Sequence, residues 1–300
     1  MGTMKRRSFL KATATAAAVS ALPAVVKAEG EPAATVVVVH GKDIPKMLEA
    51  GIAKMGGWEK FFTKPGMSVT LKPNIAWNST PEQGGNTHPD LVRACVLAAE
   101  KAGAEKVNIP ENTCHDEKST FKTSGVEEAL KGTKARLYRP APGDYQKVDV
   151  PKGVTCKSAE VPKDVLTCDC LINMPVAKHH SGATLTLSLK NWMGSVSIPT
   201  RQAWHREGLH QCIADFSTLI KPQLVIIDAT RILLTKGPQG PGEQAFPDEL
   251  IFSADPVAAD AYAATLFKKE PFDIPHIKIA HDMGIGCGDL SKVKVERVEA

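Results

Sequence analysis

The sequence predicts an α/β protein of three layers, with a mostly parallel sheet flanked by helices. Three short apolar runs carry that prediction: residues 35–40 (TVVVVH), Cys170–Met174 (CLINM) and residues 223–228 (QLVIID). Each is too short for a helix and two are rich in β-branched residues, as strands buried on both faces are. Helical periodicity lies between the runs. Ile44, Met47, Leu48, Ile52 and Met55 share one helix face, and Leu209, Ile213, Phe216 and Ile220 share another. Strands alternating with helices imply right-handed crossovers and parallel pairing.

Taken in order, the strand at 35–40 leads to Asp43, which caps a helix running through about residue 62. A second strand at 67–71 (MSVTL) ends in Lys72-Pro73-Asn74, where Pro73 stops the pairing. A loop containing Gly84 and Gly85 follows. Thr87 or His88 then precedes Pro89 at the first position of a helix, continued by Leu91, Cys95 and Ala98 and ended by Gly103. A third strand covers 106–109, and the next loop, from Glu111 to Asp116, is rich in metal-ligating side chains. A short helix at 125–130 and a strand at 135–138 complete this half. Residues 139–163 turn Pro-, Lys- and Gly-rich, which marks a loop or an inserted hairpin.

In the second half a helix through Ile220 is ended by Pro222, and Asp228 closes the strand at 223–228. The Gly/Pro loop at 236–242 (KGPQGPG) has a composition suited to covering a site. Glu249–Ser253 is a strand, and Asp255-Pro256 starts a helix to Phe267. A helix at 274–283 and a strand at 293–298 end the chain. The whole of 29–300 is expected to form a single domain.

Residues 1–28 are read as an export leader. Lys5-Arg6-Arg7-Ser8-Phe9-Leu10-Lys11 is a twin-arginine signal, followed by an Ala-rich apolar stretch and a cleavage pattern at Val26-Lys27-Ala28. The apolar stretch from Ala12 to Val26 falls short of the roughly 20 residues a membrane-spanning helix needs. The expected location is therefore the periplasm, with no membrane span in the mature chain. Removing the leader takes five of the 37 basic residues and none of the 33 acidic ones, leaving 32 against 33 and a net charge of −1. A basic surface for nucleic acid is not supported. Export of an already folded chain lessens the need for a disulfide framework, and seven cysteines leave at least one thiol unpaired.

The candidate site centres on residues 165–215, which hold four of the nine histidines and three of the seven cysteines. Polar side chains just past the carboxyl end of a buried strand are where open α/β sheets place ligands. Lys72 and Lys190, each followed closely by an amide side chain (Asn74, Asn191), suit a carboxylate or phosphate. With Lys178 they form the anion-binding set, and Lys190 doubles as a general base if burial lowers its pKa. His88 near a helix N-terminus is a candidate acid or base; as a plain alternative it is a cap. His179, His180 and His205, with Asp228, form the metal hypothesis, suiting a transition metal ion. His210 and Asp215 are further candidates. His205 and His210 lie about 140° apart on one helix, so both reach one ion only if His205 precedes that helix. Cys168 and Cys170 form a Cys-x-Cys whose side chains would share one strand face, as buried hydrophobes or as a redox pair.

Taken together, several stretches resemble the family called domain of unknown function 362, in its twin-arginine-exported branch. They are Leu71-Lys-Pro-Asn74, Asn86-Thr-His-Pro89, Leu171 through His180, Leu189-Lys-Asn191, His205 with Cys212-Ile-Ala-Asp215, Ile226-Ile-Asp-Ala229 and Asp255-Pro-Val-Ala-Ala-Asp260. The resemblance runs from about Val36 to the C-terminus. It implies an association with iron–sulfur ferredoxin modules, but this chain has no Cys-x-x-Cys, so a cluster site is disfavoured. No Gly-x-Ser-x-Gly, Walker loop or dinucleotide fingerprint is present, which argues against serine hydrolases, P-loop NTPases and Rossmann dehydrogenases. Gly284-Ile-Gly-Cys-Gly288 lacks the strand context of a nucleotide loop.

The leading expectation is an exported enzyme acting on a small anionic molecule, assisted by a metal. A non-catalytic binding or maturation factor for an exported redox protein is the alternative, and would present a sizeable exposed apolar patch. A cysteine-based redox protein is the third. It would expose low-pKa thiols at Cys168 and Cys170, or at Cys114 with a partner.

Overall fold

The computed structural model describes residues 32–300, so the leader and its twin-arginine motif lie outside the described residues. The first half runs β1 (Ala34–His40), α1 (Ile44–Met55), β2 (Ser68–Pro73), α2 (Pro89–Lys101), β3 (Lys106–Pro110), α3 (Glu117–Thr123), α4 (Val126–Ala129) and β4 (Arg136–Tyr138). The second half starts with β5 (Tyr145–Asp149), β6 (Ser158–Pro162), α5 (Lys163–Thr167), β7 (Cys170–Met174), β8 (Val176–His180) and β9 (Thr184–Thr186). It continues through α6 (Ser188–Asn191), α7 (Ile198–Glu207), α8 (Leu209–Ser217), β10 (Leu224–Leu233), β11 (Gln244–Ala245) and β12 (Glu249–Ser253). It closes with α9 (Pro256–Thr265), α10 (Pro275–Asp282) and β13 (Val293–Glu299).

The main sheet has the order β13-β1-β12-β10-β7-β2-β3-β4. From β10 to β4 every pairing is parallel; β12 is the antiparallel strand within this path, pairing so with both β10 and β1. Alternation along β1 builds the layers. Val37 and Val39 belong to one core with Leu48 and Ile52 of α1 and Leu91 and Val96 of α2. Val36 and Val38 belong to the other, with Ile213 and Phe216 of α8, Ala261 of α9 and Ile277 of α10. A strand's period of two therefore feeds two helical layers at once.

Several boundaries differ from the periodicity. α1 stops at Met55 rather than near residue 62, because Gly56 takes a left-handed φ of 104° and its N–H bonds back to Ala53. Helix α7 was not legible as a helix, although Ser197 caps it by accepting from Thr200 N and Pro199 sits in its first turn. β10 continues past Asp228 to Leu233 and pairs there with β8 and β11. Residues 145–162 form an antiparallel hairpin, β5–β6, separate from the main sheet.

Cys168 and Cys170 do not share a face. β7 begins only at Cys170, which enters the α1/α2 core, while Cys168 lies before the strand and packs against the opposite core. Burial raises the pKa of both thiols, that of Cys170 to about 12. Neither is an accessible low-pKa thiol, so this pair does not make a redox site.

Candidate functional site

The chain order along the parallel strands reverses between β2 and β7: β3 and β4 lie on one side of β2, and β7 and β10 on the other. At such a switch point the loops leaving adjacent strands diverge and open a crevice at their carboxyl ends. Here the crevice is a cavity of about 190 Å³. Asn74 and Trp77 reach it from the end of β2, Glu111, Asn112 and Cys114 from the end of β3, and Lys178 and His180 from β8. Lys190, Asn191 and Gly194 close one side, Arg201 and His205 of α7 another, and Pro238 comes from the Gly/Pro loop.

An amide network fixes the floor. Asn191 Nδ2 donates to Lys72 O at 2.9 Å and to Asn173 Oδ1 at 2.8 Å, and its Oδ1 accepts from Asn74 Nδ2 at 2.9 Å. Asn74 Oδ1 in turn accepts from Lys178 Nζ at 2.8 Å. Asn173 Nδ2 donates to Ser188 O, so β2, β7, β8 and α6 are tied at one point. Buried amides with every group paired define a single geometry, which is what a preorganised site requires.

Lys190 is held differently. The buried carboxylate of Asp260 accepts from Ser188 N at 2.7 Å and Leu189 N at 3.0 Å, anchoring the start of α6. Burial pushes Asp260 up to about 7, against these hydrogen bonds, which favour its charged form. Lys190, one residue on, donates no hydrogen bond among the described residues and turns its ammonium to the cavity. Burial lowers it to about 8, with Cys114 opposing the shift and the Arg201 guanidinium adding to it. Arg201 Nη1 donates to Asn112 O at 2.9 Å and to Cys114 Sγ at 3.6 Å, and its other guanidinium nitrogens donate no hydrogen bond among the described residues.

Lys178 is pushed well below the usual lysine range, first by burial and then by the charge of Lys190. Its Nζ donates to Asn74 Oδ1 and to Gly85 O, so Lys178 positions Asn74 and the loop at Gly85. His180 Nδ1 accepts from Gly182 N at 3.0 Å and Ala183 N at 3.1 Å. Burial and the nearby lysines take its pKa to about 2, so the ring is neutral and carries its proton on Nε2, as a donor.

The remaining sequence candidates are placed elsewhere. Lys72 is fully buried behind the cavity wall and pairs with Glu111 Oε2 at 2.8 Å. His88 Nδ1 accepts from Asp90 N, making His88 the cap of α2. His179 Nδ1 accepts from Gly237 N at 3.2 Å, holding the Gly/Pro loop. Asp228 accepts from His88 N and Arg231 Nη1 on Oδ2 and from Thr230 N and Oγ1 on Oδ1. Asp215 accepts from Thr155 N and Cys156 N at 2.7 and 2.8 Å. His205 and His210 fall on separate helices, broken at Gly208 with φ 137°.

The metal set His179, His180, His205 and Asp228 is consequently not assembled. Asp228 has its lone pairs committed, and His180 presents an N–H to the cavity where a ligand needs a free lone pair. Among the described residues no three His, Cys, Asp or Glu side chains converge in a way that would hold an ion. Arg201 is a charged cavity residue that no sequence motif marks. Arg201 stands four residues before His205 on one face of the unread helix α7, and that spacing was the available signal.

Fold and crevice together define an α/β protein with a cationic, amide-floored cleft at its sheet switch point. The chain belongs to the family described as domain of unknown function 362, whose model matches residues 69–265. It is 23% identical over 244 residues to the thylakoid-associated protein sll1697 of Synechocystis sp., covering 79% of this chain and 74% of that one. Among solved structures it is similar to the lactate racemase apoprotein of Thermoanaerobacterium thermosaccharolyticum, with a TM-score of 0.45 and 8% identity. A Thermotoga maritima protein is similar with a TM-score of 0.41 and 9% identity. The matches cover 71% and 75% of this chain, which spans only 54% and 59% of those two chains.

Proposed function

We propose that this protein is an exported enzyme that binds a small anionic substrate in the 190 Å³ cavity, with Lys190 as its acid–base group. The carrying observation is the Lys190 ammonium: buried, unpaired among the described residues, and lowered to about 8 beside the Arg201 fork. A lysine desolvated without a carboxylate partner is costly to fold, and a bound anion repays that cost by supplying the missing counter-charge.

Arg201 and Lys190 hold the anion from one side, and the Nε2–H of His180 donates from another. With a pKa near the operating pH, Lys190 exchanges a proton with the bound molecule in either direction. The cavity volume suits a molecule of a few heavy atoms. Large exposed apolar side chains such as Val154, Phe246 and Phe272 sit on separate elements, which favours this reading over a docking factor.

A thermal-shift series with inorganic phosphate, oxalate and acetate tests the proposal. A rise in melting temperature with one of these anions, absent with chloride at equal ionic strength, supports it. Equal response to all salts counts against a built anion site.

A further inference from the structure

One thiol opens onto the cleft. Of the seven cysteines, all free, Cys114 alone is exposed. It stands in the loop that leaves β3, and hydrogen bonds pin that loop to its neighbours. Cys114 N donates to Ala76 O at 2.9 Å, Asn112 N to Gly194 O at 2.9 Å, and Asn112 Nδ2 to Val196 O at 2.8 Å. Arg201 Nη1 holds the same loop, donating to Asn112 O at 2.9 Å and to Cys114 Sγ at 3.6 Å. Cys114 therefore shares the cavity wall with Arg201 and with Lys190. Lys190 is only 8% exposed, and its ammonium donates no hydrogen bond among the described residues.

We propose, on the premise that Lys190 and Arg201 form the anion site, that Cys114 is a covalent modification site for small carboxylates with an electrophilic carbon beside the acid group. Reach sets this class. The Arg201 nitrogen that touches the sulfur belongs to the guanidinium that draws the carboxylate in, so the carbon next to the acid group is the one brought to Sγ. The cavity of about 190 Å³ admits a molecule of that size and little more. The thiol is also free to react. Arg201 is its hydrogen-bond partner among the described residues, and no disulfide takes it.

The substitution balances without a further reactant. The Cys114 thiol gives its proton to solvent, to which it is exposed, and the thiolate is the attacking species. The Sγ–C bond forms as the bond from that carbon to the leaving group breaks, and the leaving group departs with the electron pair. With iodoacetate as the electrophile, iodide leaves. The product is a thioether whose carboxylate stays in the cleft with Lys190 and Arg201.

The test treats the full chain, reduced and freed of reductant, with iodoacetate and separately with its neutral analogue iodoacetamide. Peptide mass spectrometry follows the modification of each cysteine, and the same chain in denaturant supplies the intrinsic ratio of the two reagents. Relative to that ratio, the folded chain is expected to favour iodoacetate at Cys114 by about tenfold or more, as a cation-lined cleft concentrates an anion. The preference is expected to fall in Lys190→Met, and to fall in the wild type when oxalate is added, so the result survives a variant that does not fold. Cys114→Ser is expected to leave the folded chain without a fast-reacting thiol. A preference near one, or faster carboxymethylation at another cysteine, would overturn the assignment. Phosphate calorimetry in parallel keeps the two failures apart. Saturable phosphate binding with no iodoacetate preference removes Cys114 and leaves the anion site, whereas loss of both removes the two together.

Discussion

The ammonium of Lys72 sits 2.8 Å from the carboxylate of Glu111, and neither side chain has more than 1% of its surface exposed. The same Glu111 oxygen accepts from Ile75 N at 2.9 Å, so the pair fastens the end of β2 to the end of β3. Lys72, expected as one of the anion ligands, thus holds the cavity wall in place from behind.

Removing one partner of such a pair strands the other as a buried charge. Lys72→Met is expected to cost about 3–5 kcal/mol of stability, and Lys72→Met with Glu111→Leu to recover most of it. Urea denaturation of these two variants and of Glu111→Leu checks this. A loss in the double variant equal to the sum of the two single losses would mean that the pair is not coupled.

Asp228 has the same standing on the other side of the sheet. Its Oδ2 receives Arg231 Nη1 at 3.2 Å and His88 N at 2.8 Å in a fully buried setting. Asp228→Ala should lower stability by about 3–5 kcal/mol and leave the metal content of the purified protein unchanged. A variant that keeps its stability and loses a bound ion would restore Asp228 as a ligand.

Gly194 faces the unpaired Oε1 of Glu111, and a Cβ built there would stand 2.1 Å from that oxygen and 2.9 Å from Lys72 Nζ. Glu111 cannot swing aside without losing Lys72 and Ile75. Gly194→Ala is expected to cost about 1–3 kcal/mol and to weaken anion binding with it, read by melting temperature and by titration with phosphate. A fully stable variant would show that the wall yields.

The pH dependence follows from Lys190, lowered from 10.5 to about 8. Below about 8 the ammonium is present; above it the folded protein gives up the proton. Anion affinity should be level below this pKa and fall about tenfold per pH unit above it. The stability of the empty protein moves oppositely: between about 8 and 10.5 the unfolded chain binds more protons, so this group's contribution rises with pH. Calorimetric titrations across that range, with parallel denaturation curves, check both signs.

Much of this architecture was legible because buried strands are short and β-rich, and because polar residues gather at their carboxyl ends. Asn74, Lys178, His180, Lys190, Asn191 and His205 could be named before their places were known, and all six line one cavity. What residue type does not carry is side-chain direction. Lys72 and Lys190 have the same local signature, yet Lys72 ends in a buried ion pair with Glu111 while Lys190 lines the cavity. His179 and His180 are neighbours on a strand and so face opposite ways, which already forbids both from one small site. Arg201 stayed hidden because the polar helix α7 has little apolar periodicity to announce it.

The most direct measurement is a calorimetric titration of wild type and Lys190→Met with inorganic phosphate at pH 7, or with oxalate if that anion stabilises more. Saturable one-site binding to the wild type is expected, with a loss of about 10–100-fold in a folded Lys190→Met, as for a charged hydrogen bond. Equal affinity in the two proteins would contradict it, because the buried ammonium would then have no part in binding.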